Sequence, residues 1–130
     1  MLKDILLEKN CSIVASNGYV SFDSGIKPLI DKLEEDIYYF KGLEVADKIV
    51  GKAAAMLFAL SGVKKVYAHV LSEAGEKILK ENNIEYEYGQ LVNYIINRKG
   101  DGMCPMEMTV KDIDDINEAF LALKNKIALH

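Results

Sequence analysis

Two stretches of the chain carry side chains whose types and spacing could do chemistry. The first, Asn97 to Glu107, combines a basic pair, a glycine-flanked carboxylate, a thiol and a second carboxylate. Asp101 and Cys104 are candidate nucleophiles and Glu107 is a candidate proton carrier, because carboxylates and thiols perform these steps in enzymes without metals. The other candidates in this stretch would bind a ligand, and they are Asn97, Arg98, Gly100 and Gly102.

A purely structural explanation of the same stretch stays open. A tight turn also needs glycines, and the neighbouring methionines could fill gaps in a core. Cys104 precedes Pro105, a residue suited to the first turn of a helix, so the thiol could be buried and inert. A dyad between Cys104 and His69 would require the two to meet in space, which their spacing does not guarantee.

The second stretch, Ala46 to Gly62, changes from charged to apolar within two helical turns. No residue from Ala53 to Leu60 is polar and most are strong helix formers, which predicts a helix with a buried C-terminal half. Its first turns would place free N–H groups and two lysines, four residues apart, where an anion binds. The candidate ligand-binding residues of these turns are Asp47, Lys48, Gly51 and Lys52.

This second stretch is not a P-loop. The positions for the first glycine and for the hydroxyl after the lysine hold Ala46 and Ala53. The alternative to an anion site is a pair of solvated lysines next to a glycine that permits close helix packing.

Composition predicts one globular domain over residues 1–130 and excludes several partners. Hydrophobic residues make up 50% and charged residues 28% of the chain. The net charge is −4 and the 16 basic residues are scattered, which disfavours a nucleic-acid partner. Two cysteines and two histidines are too few for a disulfide framework or a structural zinc site, so no metal or cofactor is expected.

The N-terminal residues and the hydropathy pattern indicate a cytoplasmic protein. The sequence MLKDILLEKN is a short amphipathic pattern without the features of a signal peptide. The longest apolar run is far below the roughly 18 residues of a membrane span. We therefore expect no membrane partner, and the composition is compatible with a homo-oligomer.

Apolar periodicity and turn residues predict an α/β domain. A hairpin with the turn Ser16-Asn17-Gly18 opens the sheet, and alternating strands and helices then favour parallel crossover units. The result is a three-layer α/β/α fold with a mixed five-stranded sheet. Helices are expected at 2–9, 26–36, 46–62, 72–82, after Pro105 and at 116–128; further strands are expected at 37–40, 63–71 and 84–88, and 90–97 should be helical or irregular.

Three segments resemble a known family, namely ADKIVGKAAA, VYAHVLSE and, most specifically, YGQLVNYIINRKGDGMCPME. They are similar to an uncharacterised prokaryotic family of single-domain proteins with a cytidine-deaminase-like fold. The resemblance extends from about Cys11 to the last helix. It implies a three-layer α/β/α domain with a hairpin opening a mixed sheet.

The resemblance also implies where a ligand would bind. Zinc-dependent deaminases carry H-x-E and P-C-x-x-C at the starts of two helices. The equivalent segments here, 50–52 and 72–75, hold no zinc ligands and no general acid/base glutamate. The resemblance therefore argues against hydrolytic deamination and implies a nucleotide-like ligand, of the ADP-ribose or nucleoside diphosphate class.

We therefore expect a protein that binds a nucleotide-type molecule in a deaminase-like cleft without zinc. The segments 41–48 and 72–75 should line one rim, with the loop 97–107 folded over it. Binding would then be lost in Lys52→Ala and in Arg98→Ala alike. One alternative is a metal-independent enzyme in which Cys104 or Asp101 is the nucleophile and Glu107 or Asp47 moves protons. Another is a non-catalytic oligomerising scaffold.

Overall fold

The computed structural model describes residues 2–128 of the 130-residue chain. The fold is of the α/β class, and its elements alternate along most of the sequence. Within the described residues the helices are α1 (Leu2–Lys9), α2 (Lys27–Glu35), α3 (Lys52–Ser61), α4 (Glu73–Glu81), α5 (Pro105–Val110) and α6 (Ile116–Ala128), and the strands are β1 (Ile13–Ala15), β2 (Val20–Ser21), β3 (Glu44–Val50), β4 (Lys65–Ser72) and β5 (Glu85–Val92).

The strands form one mixed sheet in the order β2-β1-β3-β4-β5. β1 pairs antiparallel with both β2 and β3, whereas β3, β4 and β5 are parallel. The hairpin turns at Gly18, whose φ of 95° is favourable only for a residue without a Cβ. The prediction of a mixed five-stranded sheet opened by a hairpin is confirmed.

Helices pack on both faces of the sheet. The main core joins one face to α2, α3, α4, α5 and α6. On the other face α1 covers β1, β3 and β4, and Leu6 packs there with Val14, Ala46 and Tyr67. The carboxyl ends of the three parallel strands therefore open onto one end of the sheet, where the chain enters α3, α4 and the segment before α5.

The helix predicted from Ala46 begins only at Lys52, so this part of the prediction is wrong. Residues 46–50 belong to β3, the middle strand of the sheet, which is parallel to β4 and antiparallel to β1. Val45 and Val50 both reach the main core and Ala46 reaches the second cluster, so the strand does not alternate strictly. Asp47 and Lys48 therefore lie on a strand, and Lys48 shares no helical face with Lys52.

The apolar part of α3 is buried as predicted except at Ala59 and Leu60, which are half-buried. From Ala53 to Phe58 every side chain is buried in the main core. The helix ends at Gly62, which has a left-handed conformation with φ of 84°, and its N–H bonds back to the carbonyl oxygens of Phe58 and Ala59.

One other predicted element is wrong and a second is only partly right. Residues 37–40 form turns instead of a strand, because Asp36 Oδ1 accepts a hydrogen bond from Tyr38 N (3.0 Å) and Phe40 N donates to Ser61 Oγ (3.1 Å). The segment expected to be helical or irregular, 90–97, is partly right: residues 90–92 continue β5 at the edge of the sheet, whereas residues 93–97 are irregular.

The remaining predicted helices are confirmed. α1, α2, α4, α5 and α6 lie where apolar spacing and capping residues place them. Ser72 caps α4, since its Oγ accepts a hydrogen bond from Gly75 N at 3.0 Å. α5 begins at Pro105, as the helix-initiating role of that residue predicts.

Candidate functional site

The first turn of α3 is capped by a carboxylate from a distant part of the chain. Lys52 N donates a hydrogen bond of 2.6 Å to Glu107 Oε1, and Ala53 N donates one of 2.9 Å to Glu107 Oε2. Glu107 reaches this point from the first turn of α5, 55 residues later. The end of α3 that we expected to bind an anion is therefore occupied by the protein's own carboxylate.

Two glycines make room for this contact. A Cβ on Gly51 would lie 2.3 Å from Glu107 Oε1, closer than any real Cβ contact. A Cβ on Gly75 would lie 3.0 Å from the carbonyl carbon and oxygen of Gly51. The starts of α3 and α4 can approach each other and admit the carboxylate because neither glycine has a side chain.

The environment of Glu107 changes its acidity. The residue is 9% exposed, and burial raises the pKa of its carboxyl above the usual value. The two backbone N–H groups of Ala53 and Lys52 and the charge of the Lys52 ammonium act in the opposite direction. Because burial is the largest of these effects, Glu107 holds a proton more readily than an exposed glutamate does.

A cleft of about 570 Å³ lies beside this contact. Its walls include Ser72 at the end of β4, as well as Asn93 and Tyr94, which directly follow β5. It therefore lies at the carboxyl ends of parallel strands, where α/β proteins usually bind ligands. Its charged lining comprises the lysines Lys52, Lys77 and Lys111 and the carboxylates Glu81, Glu107 and Asp114.

Some of these charges are already engaged. Lys77 Nζ lies 4.0 Å from Glu81 Oε1, and Glu107 is held by the α3 amides. The Lys52 ammonium donates a hydrogen bond of 3.0 Å to the backbone oxygen of Lys111. In residues 2–128 no hydrogen bond or ion pair engages the Lys111 ammonium, so this group can bind an anionic ligand group.

The turn at 97–102 is held together by its own polar groups. Asn97 Oδ1 accepts hydrogen bonds from Gly100 N (2.8 Å) and Asp101 N (3.2 Å), and Asn97 Nδ2 donates to Asp101 Oδ1 (2.8 Å). Gly100 has a φ of 76°, which favours glycine. Asn97, Gly100 and Asp101 therefore stabilise the turn, as the structural explanation of this stretch expects.

The loop between β5 and α5 crosses the end of the sheet. Arg98 Nη2 donates a hydrogen bond of 2.7 Å to Ser24 Oγ, which follows β2. Cys104 precedes α5, and its N–H donates to the carbonyl oxygen of Ile95 at 2.9 Å. Arg98, Asp101, Gly102 and Cys104 do not line the cleft, whereas Met103 and Glu107 do.

Asp47 and Lys48 also lie outside the walls of the cleft. The Lys48 ammonium donates a hydrogen bond to Asn10 Oδ1. Burial raises the pKa of Asp47 to about 7, although hydrogen bonds from the N–H groups of Ile49 and Lys48 oppose the change. Of the predicted α3 site residues, the structure therefore places Lys52 in the cleft wall and Gly51 behind Glu107.

Sequence reasoning missed several residues of the cleft, chiefly Lys77, Tyr94 and Lys111. The predicted strand 84–88 ends too early to place Tyr94 at a strand end. With the correct end of β5, the rule that ligands bind at the carboxyl ends of parallel strands would have identified Tyr94. No sequence pattern marks Lys111 as a cleft residue. It follows α5, and it lies at the cleft only because α5 packs against α3.

Three features of the described residues bear on other functions. Between residues 2 and 128 no group of three or more His, Cys, Asp and Glu side chains is arranged to hold a metal ion. In the same residues no helix combines the length and apolar character that crossing a membrane requires. His69 Nδ1 lies 3.2 Å from the Tyr67 hydroxyl, so this contact engages the imidazole.

Comparison with known proteins assigns the chain to a family. Residues 1–127 match the family described as "TM1506: Domain of unknown function (DUF1893)". The chain belongs to this family. The DUF1893 fold is also seen in the crystal structure of a DUF1893 family protein (TM1506) from Thermotoga maritima, with a TM-score of 0.86 and 28% sequence identity over 95% of this chain and 86% of that chain.

The comparison with curated proteins gave no match. The expectation of a family without an assigned function is confirmed by the DUF1893 assignment. The similarity to the Thermotoga maritima protein supports the α/β class and the mixed five-stranded sheet with helices.

Proposed function

We propose that this DUF1893 protein binds a small molecule of the nucleotide class in the cleft. The observation that carries the proposal is the meeting of Lys52, Lys111 and Tyr94 at the carboxyl ends of β4 and β5. Tyr94 is 45% exposed, so its ring can stack on a base. The two lysines can neutralise a phosphate, as ammonium groups commonly do.

The charge of the cleft limits how many phosphates the ligand can carry. Three lysines face three carboxylates there, and burial raises the pKa of one of these, Glu107. The balance is therefore close to neutral, which favours one or two phosphates over a long polyphosphate. ADP-ribose and nucleoside diphosphates, the expected classes, meet this limit through their two phosphates.

We propose in addition that the fold is cytidine-deaminase-like. Helices on both faces of a mixed sheet, with α3 and α4 starting at one end, support a cytidine-deaminase-like three-layer α/β/α arrangement. In this arrangement the Glu107 carboxylate lies at the start of α3, where zinc-dependent deaminases carry H-x-E.

A thermal-shift screen tests the binding proposal. The panel contains a nucleoside, its mono- and diphosphate, ADP-ribose and inorganic pyrophosphate. A ligand at a hundredfold excess over its dissociation constant stabilises the folded state by about 2.7 kcal/mol, which raises the melting temperature of a chain of this size by several degrees. We expect such a rise for at least one nucleotide and a smaller one for pyrophosphate, which lacks the stacking base.

Two lysine variants sharpen the screen. Lys111→Ala should remove most of the shift, whereas Lys80→Ala should keep it, because Lys80 lies on α4 outside the cleft and near Glu76. Arg98→Ala, which the sequence alone predicts to lose binding, should instead keep the shift, since the arginine hydrogen-bonds Ser24 away from the cleft. The proposal fails if no panel member raises the melting temperature or if Lys80→Ala loses as much as Lys111→Ala.

A second candidate is a metal-independent enzyme that acts on a nucleotide-like substrate, and the position of Glu107 favours it. This glutamate lines the cleft and its pKa is raised, as in many carboxyl groups that move protons. Asp101 and Cys104 lie outside the cleft walls, so the reaction would depend on Glu107. Turnover of a bound nucleotide that is abolished in Glu107→Gln would support this candidate, and binding without turnover would exclude it.

A further inference from the structure

The two edges of the sheet differ in length and protection. β2 has two residues and ends one edge, whereas β5 has eight and ends the other. No further strand within residues 2–128 pairs with β5, and six of its eight residues are exposed. A long open edge presents unpaired N–H and C=O groups to any strand that can align with it.

Charged side chains discourage pairing with another strand only along the first half of β5. Glu85 and Glu87 both lie near Lys65, with N···O distances of 3.3 and 3.8 Å. From Tyr88 to Val92 there is no charged residue and no proline. Tyr88 and Leu91 are 44% and 38% exposed, which is unusual for apolar side chains at a parallel edge.

The side chains of β5 divide between the two faces in an uneven order. Tyr86, Tyr88 and Leu91 are in register with three main-core residues of β4, so they share the face that the helices cover. Glu87 and Gln90 are in register with Tyr67 and Val70 and lie on the opposite face. The alternation therefore shifts by one residue near Gly89.

This shift makes the strand complementary to itself. If two copies of β5 run antiparallel and are centred between Tyr88 and Gly89, residues opposite each other point to the same face. Tyr86 then lies opposite Leu91, and Glu87 lies opposite Gln90. No like charges meet in this register, whereas centring on Glu87 would oppose two glutamates.

We propose that β5 is a dimerisation edge, which pairs antiparallel with β5 of a second copy of this chain. The interface is isologous, because the same strand serves both copies, and it closes after two subunits. Backbone hydrogen bonds supply affinity, and the Glu87–Gln90 pairs fix the register. The two sheets then join into one continuous sheet, and neither copy keeps an open β5 edge.

Sedimentation equilibrium of the full chain tests the proposal. We expect the mass to rise from 14.5 kDa to twice that value as the concentration increases from micromolar to sub-millimolar. Gln90→Glu is isosteric and puts like charges opposite each other twice per dimer, so the dissociation constant should rise on the order of tenfold. Gln90→Lys puts opposite charges there and should keep or strengthen the dimer.

A matched control is Leu121→Glu, which adds a charge at a 59% exposed position of α6 and should leave the dimer intact. Circular dichroism of each variant checks that the fold is retained. A mass of 14.5 kDa at every concentration overturns the proposal. Equal effects of Gln90→Glu and Gln90→Lys, or dissociation by Leu121→Glu, overturn it as well.

Discussion

The start of α3 and the turn at 97–102 satisfy their polar groups in different ways. The Ala53 amide is buried and the Lys52 amide is partly buried, and both receive their acceptor from Glu107, 54 and 55 residues away in sequence. The turn is exposed, and Asn97 supplies its bonds from within three to four residues. Both regions hold candidate ligand-binding residues, but only the first adjoins the cleft.

Substitutions at the start of α3 should therefore destabilise the protein more than substitutions in the turn. A buried donor that loses its acceptor suffers the full desolvation penalty, whereas water replaces a lost partner at the surface. The packing differs in the same way, since the α3 start has no space for one methyl group at Gly51 and the turn has space at Gly102.

The largest expected difference in stability between the two regions comes from adding one methyl group to a glycine in each. Gly51→Ala places a Cβ 2.3 Å from Glu107 Oε1, which must move and release both α3 amides. We expect a loss of about 3 kcal/mol in the free energy of unfolding, measured by urea denaturation. Gly102→Ala meets only Asn97 Nδ2 at 3.8 Å and should change stability by less than about 0.5 kcal/mol.

A smaller effect is expected from removing one carboxylate in each region. Glu107→Ala leaves the partly buried N–H of Lys52 and the buried N–H of Ala53 without their acceptor, which should cost about 2 kcal/mol. Asp101→Ala breaks an exposed bond to Asn97 and should cost less than about 0.5 kcal/mol. Equal losses in the two variants would contradict the contrast between the regions.

Much of this architecture follows from the sequence, and the failures have physical causes. α2, α4 and α6 show helical spacing of apolar residues, and the hairpin has a glycine where a positive φ is needed. The stretch 46–50 contains helix-forming residues, but burial between neighbouring strands overrides that preference. The tyrosines at 38 and 39 suggested a strand, but Tyr39 packs edge-to-face on Phe40 with a centroid distance of 4.9 Å.

The candidate site was less accessible to prediction. Gly51, Lys52 and Glu107 were all chosen from the sequence, but nothing in their spacing joins α5 to the start of α3. That contact depends on the packing of α5 and α6 against α3, a tertiary result without local pattern. The roles proposed for Asp47, Lys48, Arg98 and Cys104 stay predictions, although all four lie outside the cleft walls.

The smallest expected effect on stability is the pH dependence of the contribution of Glu107. Burial raises the pKa of Glu107 above its ordinary value of 4.5, so the folded state binds the proton more tightly than the unfolded state does. The contribution of this group is therefore fully present below pH 4.5 and is lost as the pH rises through its folded pKa. The stability of the wild type relative to Glu107→Gln should fall over that window.

The comparison with Glu107→Gln is needed because Asp47 acts in the same direction. Its pKa is raised from 3.8 to about 7, so its contribution is lost between these values in both proteins and cancels in the difference. A difference that rises with pH would show that the α3 amides stabilise the charged form of Glu107 more than burial opposes it.

The most direct test of the account is an amide NMR titration of the uniformly ¹⁵N-labelled protein with a nucleoside diphosphate. We expect the largest shifts at Asn93, Tyr94 and Lys111, which line the cleft, and little change in the turn 97–102. Shifts concentrated in that turn would move the site to the exposed loop. No shifts at saturating nucleotide would contradict the cleft as a nucleotide site.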